Sequence, residues 1–257
     1  MTSLRCTLRP PDPTLFPLDT EEAQHPLQFA TRKAKGAVTA VRDRRDVFNN
    51  RLLEGLTLVG PYDIPKIEAC THVPAGLISF SEAMGTKKPD PRFWVHFYED
   101  DYKFTRLWNQ PKRYYDRLKL FGGIITPDFS LYRNMPVAQK IEHTYKNQLL
   151  GARLQADGFN VVTNVRLSGR ASIPYALAGV PVRSTVAIGL HGCTKSRENR
   201  PHVVEEIKII CDHCRPANLV VFGSGRSRIL DYPRELGIRV HVYAPDTYRR
   251  SPMREVA

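Results

Sequence analysis

The chain has 257 residues, a hydrophobic share of 42%, a charged share of 25% and a formal net charge of +12. This length suffices for one large core, and the ordinary composition argues against wholesale disorder and against a fibrous protein. No apolar run approaches the ~20 residues that cross a bilayer, so we expect no membrane-spanning helix.

The start of the chain, MTSLRCTLRPPDPTLF, lacks the continuous apolar stretch of a signal peptide. The five cysteines are odd in number and show no disulfide framework, which is typical of a reducing compartment. We therefore expect a cytoplasmic protein with free thiols.

The excess of Lys and Arg favours polyanionic partners, because positive charge raises the local concentration of phosphate groups. DNA or RNA is therefore the predicted partner class. The alternative is a host whose proteins are generally Arg-rich, in which case the charge carries no functional information. Composition alone leaves both interpretations open.

The chain divides into three parts by composition. Residues 1–36 are rich in proline, which removes amide donors and fixes φ, so they are predicted to form an extended arm. Residues 37–246 are predicted to form a single α/β domain, entered by an amphipathic helix over 38–54. Residues 247–257 are predicted to be a C-terminal tail.

Within the domain, short apolar runs alternate with helical patterns every 25 to 35 residues or so, the rhythm of βα repeats. Several runs are almost continuously apolar, as in strands covered on both faces of a parallel sheet. The predicted strands are 93–98, 123–126, 160–165, 185–190, 219–222 and 239–243, with a weaker candidate over 65–69.

Two helices are predicted between these strands. One begins near Asn134 and has an apolar face of Val137, Ile141, Tyr145 and Leu149. The other spans 202–214 and buries Val203, Ile207, Ile210 and Cys214. The fold class is α/β, with repeated βα units around a mainly parallel sheet. A small or irregular (β/α) barrel is favoured over an open doubly wound sheet.

In both architectures functional groups gather where parallel strands end. This rule selects four candidate catalytic residues: Asp128, Asn164, Arg166 and His191. Asp128 beside Arg166 and His191 can serve as a general base, orient the imidazole, or hold a metal against phosphate oxygens. The alternative is that Asp128 only accepts hydrogen bonds from backbone amides in a turn.

The segment 102–119 carries six basic residues and one acid, interleaved with Trp108, Tyr114 and Tyr115. Basic groups beside aromatic rings suit a nucleic-acid groove. The alternative is an amphipathic helix pair with a solvated basic face. The predicted nucleic-acid-binding residues are Lys112, Arg113 and Arg117 from this segment, together with Arg133.

No metal site or cofactor is assigned. Cys211 and Cys214 form a CxxC pair near His191, Cys193, His202 and His213, but the pair falls on a predicted helix, which favours buried thiols over zinc. The turn GSGRSR at 223–228 matches neither the dinucleotide nor the P-loop pattern. The cofactor is therefore left unknown.

Three strings carry a family resemblance: WVHFYEDDYKFTRLWNQP, FGGIITPDFSLYRNMPVAQKIEHTYKNQLLGARLQADGFNVVTNVR and STVAIGLHGC. Together they resemble domain of unknown function 4417, over about residues 45 to 245. This chain has Leu167 after NVR where members often carry Trp, and Lys146 where they carry Arg. The resemblance implies a phage or mobile-element setting and provides no catalytic residues.

The leading hypothesis is a mobile-element protein that acts on nucleic acid or nucleotides through the polar ends of its strands. Two alternatives stay open. One is a non-catalytic nucleic-acid-binding accessory in replication or regulation, and the other is a small-molecule metabolic enzyme whose positive charge is incidental.

Overall fold

The computed structural model describes residues 29–34, 46, 48–190, 198–223 and 228–245. Three short strands come first and form an antiparallel sheet in chain order. They are β1 (Thr31–Lys33), β2 (Thr57–Val59) and β3 (Ile64–Pro65).

A seven-stranded parallel sheet follows, curled into a half-barrel and flanked by helices. Its strands lie side by side in chain order, from β4 to β10. They are β4 (Gly76–Ser79), β5 (Phe93–His96), β6 (Gly123–Ile125), β7 (Val161–Asn164), β8 (Thr185–Gly189), β9 (Asn218–Phe222) and β10 (Arg239–Tyr243).

This strand order decides between the two predicted architectures. A doubly wound sheet reverses its order at a switch point, whereas here each strand pairs with the next along the chain. Crossovers of one hand then place their helices on one side of the sheet, as in a barrel. The preference for an irregular barrel is confirmed, in the form of a half-barrel.

Seven α-helices accompany the strands in the described residues. Five of them have nine residues or fewer and the other two have fifteen or more, so the two long helices provide most of the cover. They are α1 (Phe80–Gly85), α2 (Asp101–Asn109), α3 (Tyr115–Leu118), α4 (Val137–Ala156), α5 (Ile173–Ala176), α6 (Arg200–Cys214) and α7 (Asp231–Glu235).

Alternate residues of each strand face opposite sides of the sheet. On the helix side, Val95, Ile124, Val186 and Leu219 join two clusters that contain the buried helix residues. On the concave side, a third cluster consists of strand residues with Cys70, Tyr98 and Tyr243. The concave face therefore carries an apolar layer without a helix from the described residues packed into it.

The six well-marked predicted strands are confirmed as β5 to β10, with ends that differ by one or two residues. Two differences stand out. The weak candidate at 65–69 is reduced to β3 in the small sheet, and β4 was not predicted. The predicted helix over 38–54 falls mostly outside the described residues, and Asn50–Leu53 form a 3-10 turn.

The predicted apolar face of α4 is confirmed only in part, because Ile141, Tyr145 and Leu149 pack against the core whereas Val137 does not. Val137 is 59% exposed and Ile141 and Tyr145 are only partly buried, so Leu149 alone of the four is buried. Four of the nine buried residues of α4 are polar instead, and two of these, Lys140 and Asn147, bind the loop that follows β6. The four polar residues are Lys140, Thr144, Asn147 and Gln148.

The predicted stripe of α6 is confirmed, since Val203, Ile207, Ile210 and Cys214 are all buried. No described helix is both long and apolar enough to cross a membrane.

Candidate functional site

Three of the four predicted catalytic residues meet in one hydrogen-bonded cluster. Arg166 donates from Nε to Asp128 Oδ1 at 2.8 Å and from Nη2 to Asp128 Oδ2 at 2.6 Å. Asn164 Nδ2 also donates to Asp128 Oδ1, at 2.7 Å. Asp128 therefore accepts hydrogen bonds from two side chains. None of these contacts is a hydrogen bond from a backbone amide in a turn, which was the alternative role for this residue.

The parallel pairing of β6 and β7 explains this meeting. Asp128 follows β6 by three residues, whereas Asn164 ends β7 and Arg166 comes two residues later. Neighbouring parallel strands end at the same edge of a sheet, here called the carboxyl edge. The backbone N–H of Asn164 also donates to Thr126 Oγ1 at 2.9 Å, and this bond joins the ends of β6 and β7.

An aromatic group borders this cluster. Tyr98, just past β5, donates its hydroxyl to Asn164 Oδ1 at 3.0 Å. Its ring stacks on Phe222 at the end of β9, with centroids 4.9 Å apart, and on His96 at 5.4 Å. Tyr98 was not among the site residues predicted from the sequence. The alternation of Trp94, His96 and Tyr98 along WVHFY was the signal that places all three on one face.

Charge and burial set the protonation of this cluster. Burial raises the pKa of Asp128 above its ordinary value, while Arg166 and Asn164 pull the pKa back by stabilising the carboxylate. Burial and the nearby Asp128 charge raise the pKa of Tyr98, so its hydroxyl stays protonated and acts as a donor. Asp128 is thus better suited to holding Arg166 in one orientation than to taking up protons freely.

The loop after Asp128 is held from two sides. On one side, two residues of α4 bind it. Asn147 Oδ1 accepts a hydrogen bond from the Phe129 backbone amide at 2.8 Å, and Lys140 Nζ donates to the Arg133 carbonyl at 2.7 Å. On the other side, Ser130 Oγ donates to Asp101 Oδ1 at 2.9 Å, at the start of α2. The polar side of α4 therefore serves to fix this loop.

A second carboxylate lies at the carboxyl edge. Glu206 of α6 accepts a hydrogen bond from the Gly169 amide at 3.0 Å, and its Oε1 is 4.0 Å from Arg133 Nη2. Burial raises the pKa of Glu206, and the surrounding cations oppose that shift. The helical pattern of α6 gave no reason to select it, because its role depends on where α6 packs.

His191, the fourth predicted catalytic residue, lies outside the described residues. It follows β8 by two positions, and β8 pairs with β7. Its proximity to Asp128 stays a prediction.

The four predicted nucleic-acid-binding residues come from two separate segments of the chain. Arg133 is exposed at the carboxyl edge. Lys112 and Arg113 are exposed in the short 3-10 helix (Pro111–Tyr114) between α2 and α3. Arg117 is partly buried and donates from Nε to the Ala83 carbonyl at 2.7 Å and from Nη2 to the Thr86 carbonyl, at the end of α1. Arg117 thus also caps a helix.

The described residues contain no group of three or more His, Cys, Asp or Glu side chains placed to hold a metal ion. Cys211 and Cys214 are free and buried on α6, and burial raises the pKa of both thiols. Raised pKa values make them poor nucleophiles near neutral pH.

Comparison with known proteins identifies the family. The family described as Domain of unknown function (DUF4417) matches residues 56–237, which contain every described residue of the cluster. This chain belongs to DUF4417. The matched DUF4417 region runs from before β2 to the turn after α7, and therefore includes six strands of the half-barrel.

Two phage proteins are similar to this DUF4417 chain. The Gene 1 protein of Mycobacterium phage L5 is 30% identical over 172 residues, which cover 64% of this chain and 72% of the phage protein. The Gene 1 protein of Mycobacterium phage D29 is 29% identical over 169 residues, 63% of this chain and 60% of that protein. The chain thus spans less than two thirds of the second relative. No solved structure matches it with significance.

Proposed function

We propose that this DUF4417 protein binds nucleic acid or a nucleotide at the carboxyl edge of its half-barrel. The observation that carries this proposal is the fixed guanidinium of Arg166, which is held by both oxygens of Asp128 while 24% of its side chain stays exposed. A pre-oriented arginine loses little freedom when it meets a phosphate, so more of the binding energy is retained.

The neighbouring surface has the groups that such a ligand needs. Tyr132 is 61% exposed, and its carbonyl accepts a hydrogen bond from Ser168 Oγ, two residues beyond Arg166. Arg133 stands next to it with 46% of its side chain exposed. An exposed ring stacks on a base and an exposed arginine contacts a phosphate. The net charge of +12 supports association with such a polyanion.

The alternative is a non-catalytic accessory that uses the basic segment 102–119. The observation in its favour is the exposure of Lys112 and Arg113. Because these two residues belong to a different segment from Tyr132 and Arg133, the two hypotheses are separable by mutation.

The test compares two pairs of substitutions that remove charge or aromatic surface in these two segments. Binding of single-stranded and duplex DNA and RNA is measured over a salt series for Tyr132→Ala with Arg133→Gln, and for Lys112→Gln with Arg113→Gln. We expect the first pair to weaken binding at least ten-fold and to reduce the salt slope by about 1 for its one lost phosphate contact.

The second pair is the matched control and should leave affinity within about two-fold. The reverse pattern would assign binding to the basic segment and reject the carboxyl edge. Absence of binding by the unmodified protein at low salt would reject both, and would favour a small phosphorylated ligand.

The same site is the candidate for catalysis. If it turns over a bound oligonucleotide, Asp128→Asn should abolish product formation, and it should also weaken nucleic-acid binding because Arg166 loses the carboxylate that orients it. A loss of thermal stability that parallels the loss of activity would indicate that Asp128 acts only through the fold.

A further inference from the structure

A small, partly open cavity lies between α4 and the Asp128 cluster. Three polar residues of α4 line it, namely Thr144, Asn147 and Gln148. Of these three, only Asn147 binds the loop after β6. The other lining residues of the cavity are Asn164 and Arg166 of the cluster, and the apolar Leu131 and Ala176.

Two of the bounding residues have buried oxygen atoms that lack a hydrogen-bond partner in the described part of the chain. They are Thr144 Oγ1 and Gln148 Oε1, on side chains of residues that are 5% and 3% exposed. A buried polar atom without a partner is costly, and buried water often supplies what is missing.

The size of the space limits its occupant. The volume open to the centre of a water molecule is about 10 Å³. A cavity needs roughly 10–15 Å³ by this measure to hold one water. A phosphate or carboxylate group is far too large, and the guanidinium of Arg166 in the wall disfavours a cation.

We propose that one water molecule is bound permanently in this cavity and joins Thr144 and Gln148 to the Asn164 and Arg166 side of the wall. Thr144 and Gln148 are then positioning residues. Through the proposed water they contact Arg166 on the side of the cavity, while Asp128 binds the guanidinium of Arg166 directly. This inference depends on the cavity and its buried atoms, and holds whether the ligand of the carboxyl edge is a nucleic acid or another molecule.

Thr163 provides a matched control. Its Oγ1 is also buried without a partner in the described residues, and Thr163 is only 1% exposed, yet it is not part of the cavity wall. Thr→Val removes a hydroxyl at nearly constant volume in both places. Only at Thr144 does it also remove a partner of the proposed water.

We expect Thr144→Val to lower Tm by about 2–4 °C, as for the loss of a single buried hydrogen bond in a protein of this size. Thr144→Ser keeps the hydroxyl and should restore most of the loss. Thr163→Val should leave Tm unchanged or raise it, because it deletes a polar atom that has no partner. Equal effects of the two valine substitutions would overturn the proposal.

A spectroscopic measurement separates positioning from stability. The Nε–H of Arg166 is bonded to Asp128 and is expected to give a resolved NMR signal. Its chemical shift should move in Thr144→Val and stay unchanged in Thr144→Ser and Thr163→Val. An unmoved signal in all three variants would show that the cavity does not act on Arg166.

Crystallography provides the direct check. Density for one water within hydrogen-bond distance of Thr144 Oγ1 and Gln148 Oε1 is the expected result, independent of the salt in the crystal. Absence of density, or density that appears only with an added cation, would overturn the assignment to water.

Discussion

At Gly189, the missing Cβ makes room for the ring of Tyr98. A Cβ built there would lie 2.7 Å from Tyr98 Cδ1 and Cε1, well inside van der Waals contact. Tyr98 in turn donates its hydroxyl to Asn164, so the glycine on β8 helps to place a side chain that comes from β5. The geometry of the site therefore depends on a residue with no functional group.

Gly189→Ala is expected to lower the free energy of unfolding by about 1–3 kcal/mol, because the new methyl group must displace the packed ring. Gly85→Ala is the control. A Cβ at Gly85 meets no atom within 4 Å, and alanine is favoured over glycine in a helix such as α1. Urea denaturation of both variants checks this, and similar losses in the two would contradict the argument.

At the scale of an element, α4 buries amides and a hydroxyl on the side where a helix over a sheet normally buries apolar residues. Asn147 binds both backbone groups of Phe129, accepting from its amide at 2.8 Å and donating to its carbonyl at 3.4 Å. The backbone of the loop after β6 is buried at Phe129 and needs these partners.

Asn147→Leu is therefore expected to destabilise the protein by about 1–3 kcal/mol, since two buried backbone groups lose their partner. Gln139→Ala, at an exposed position of α4, should be neutral. Thermal or chemical denaturation measures the difference. A leucine variant as stable as the unmodified protein would mean that the loop satisfies its backbone in another way.

At the scale of the whole molecule, an unclosed sheet has strands of unequal protection. All five residues of β9 are buried between β8 and β10. The last described strand, β10, pairs with β9 alone in the described residues, and its Val242 is 39% exposed. Strands at the border of a sheet open more easily than those in its middle.

Hydrogen exchange followed by mass spectrometry tests this difference. Amides of 219–222 are expected to exchange at least ten-fold more slowly than those of 240–243. Equal protection would indicate that another segment or a second chain covers β10 in solution.

Hydrophobic periodicity predicted the parallel strands of this protein, and the rule that functional residues follow such strands predicted three residues of the Asp128 cluster. The runs VVTNV, TVAIGL and LVVF are apolar on both sides, so they specify parallel strands wherever they lie in the fold. Asp128, Asn164 and Arg166 follow such runs directly, and the edge at which parallel strands end then brings them together. Local spacing does not predict the buried polar residues of α4, because the burial of Asn147 depends on the backbone groups of Phe129 in the loop after β6.

The amino-acid sequence alone determined the α/β class, the six main strands and the family resemblance, because each depends on residues close together in the chain. It also selected three members of the cluster, because the ends of neighbouring parallel strands lie at one edge of the sheet. The tertiary structure decided the half-barrel, the place of Tyr98 against Gly189, the role of Glu206 and the polar side of α4. Those features depend on contacts between residues far apart in the chain, such as Tyr98 with Asn164, and their geometry is set only when the strands pack.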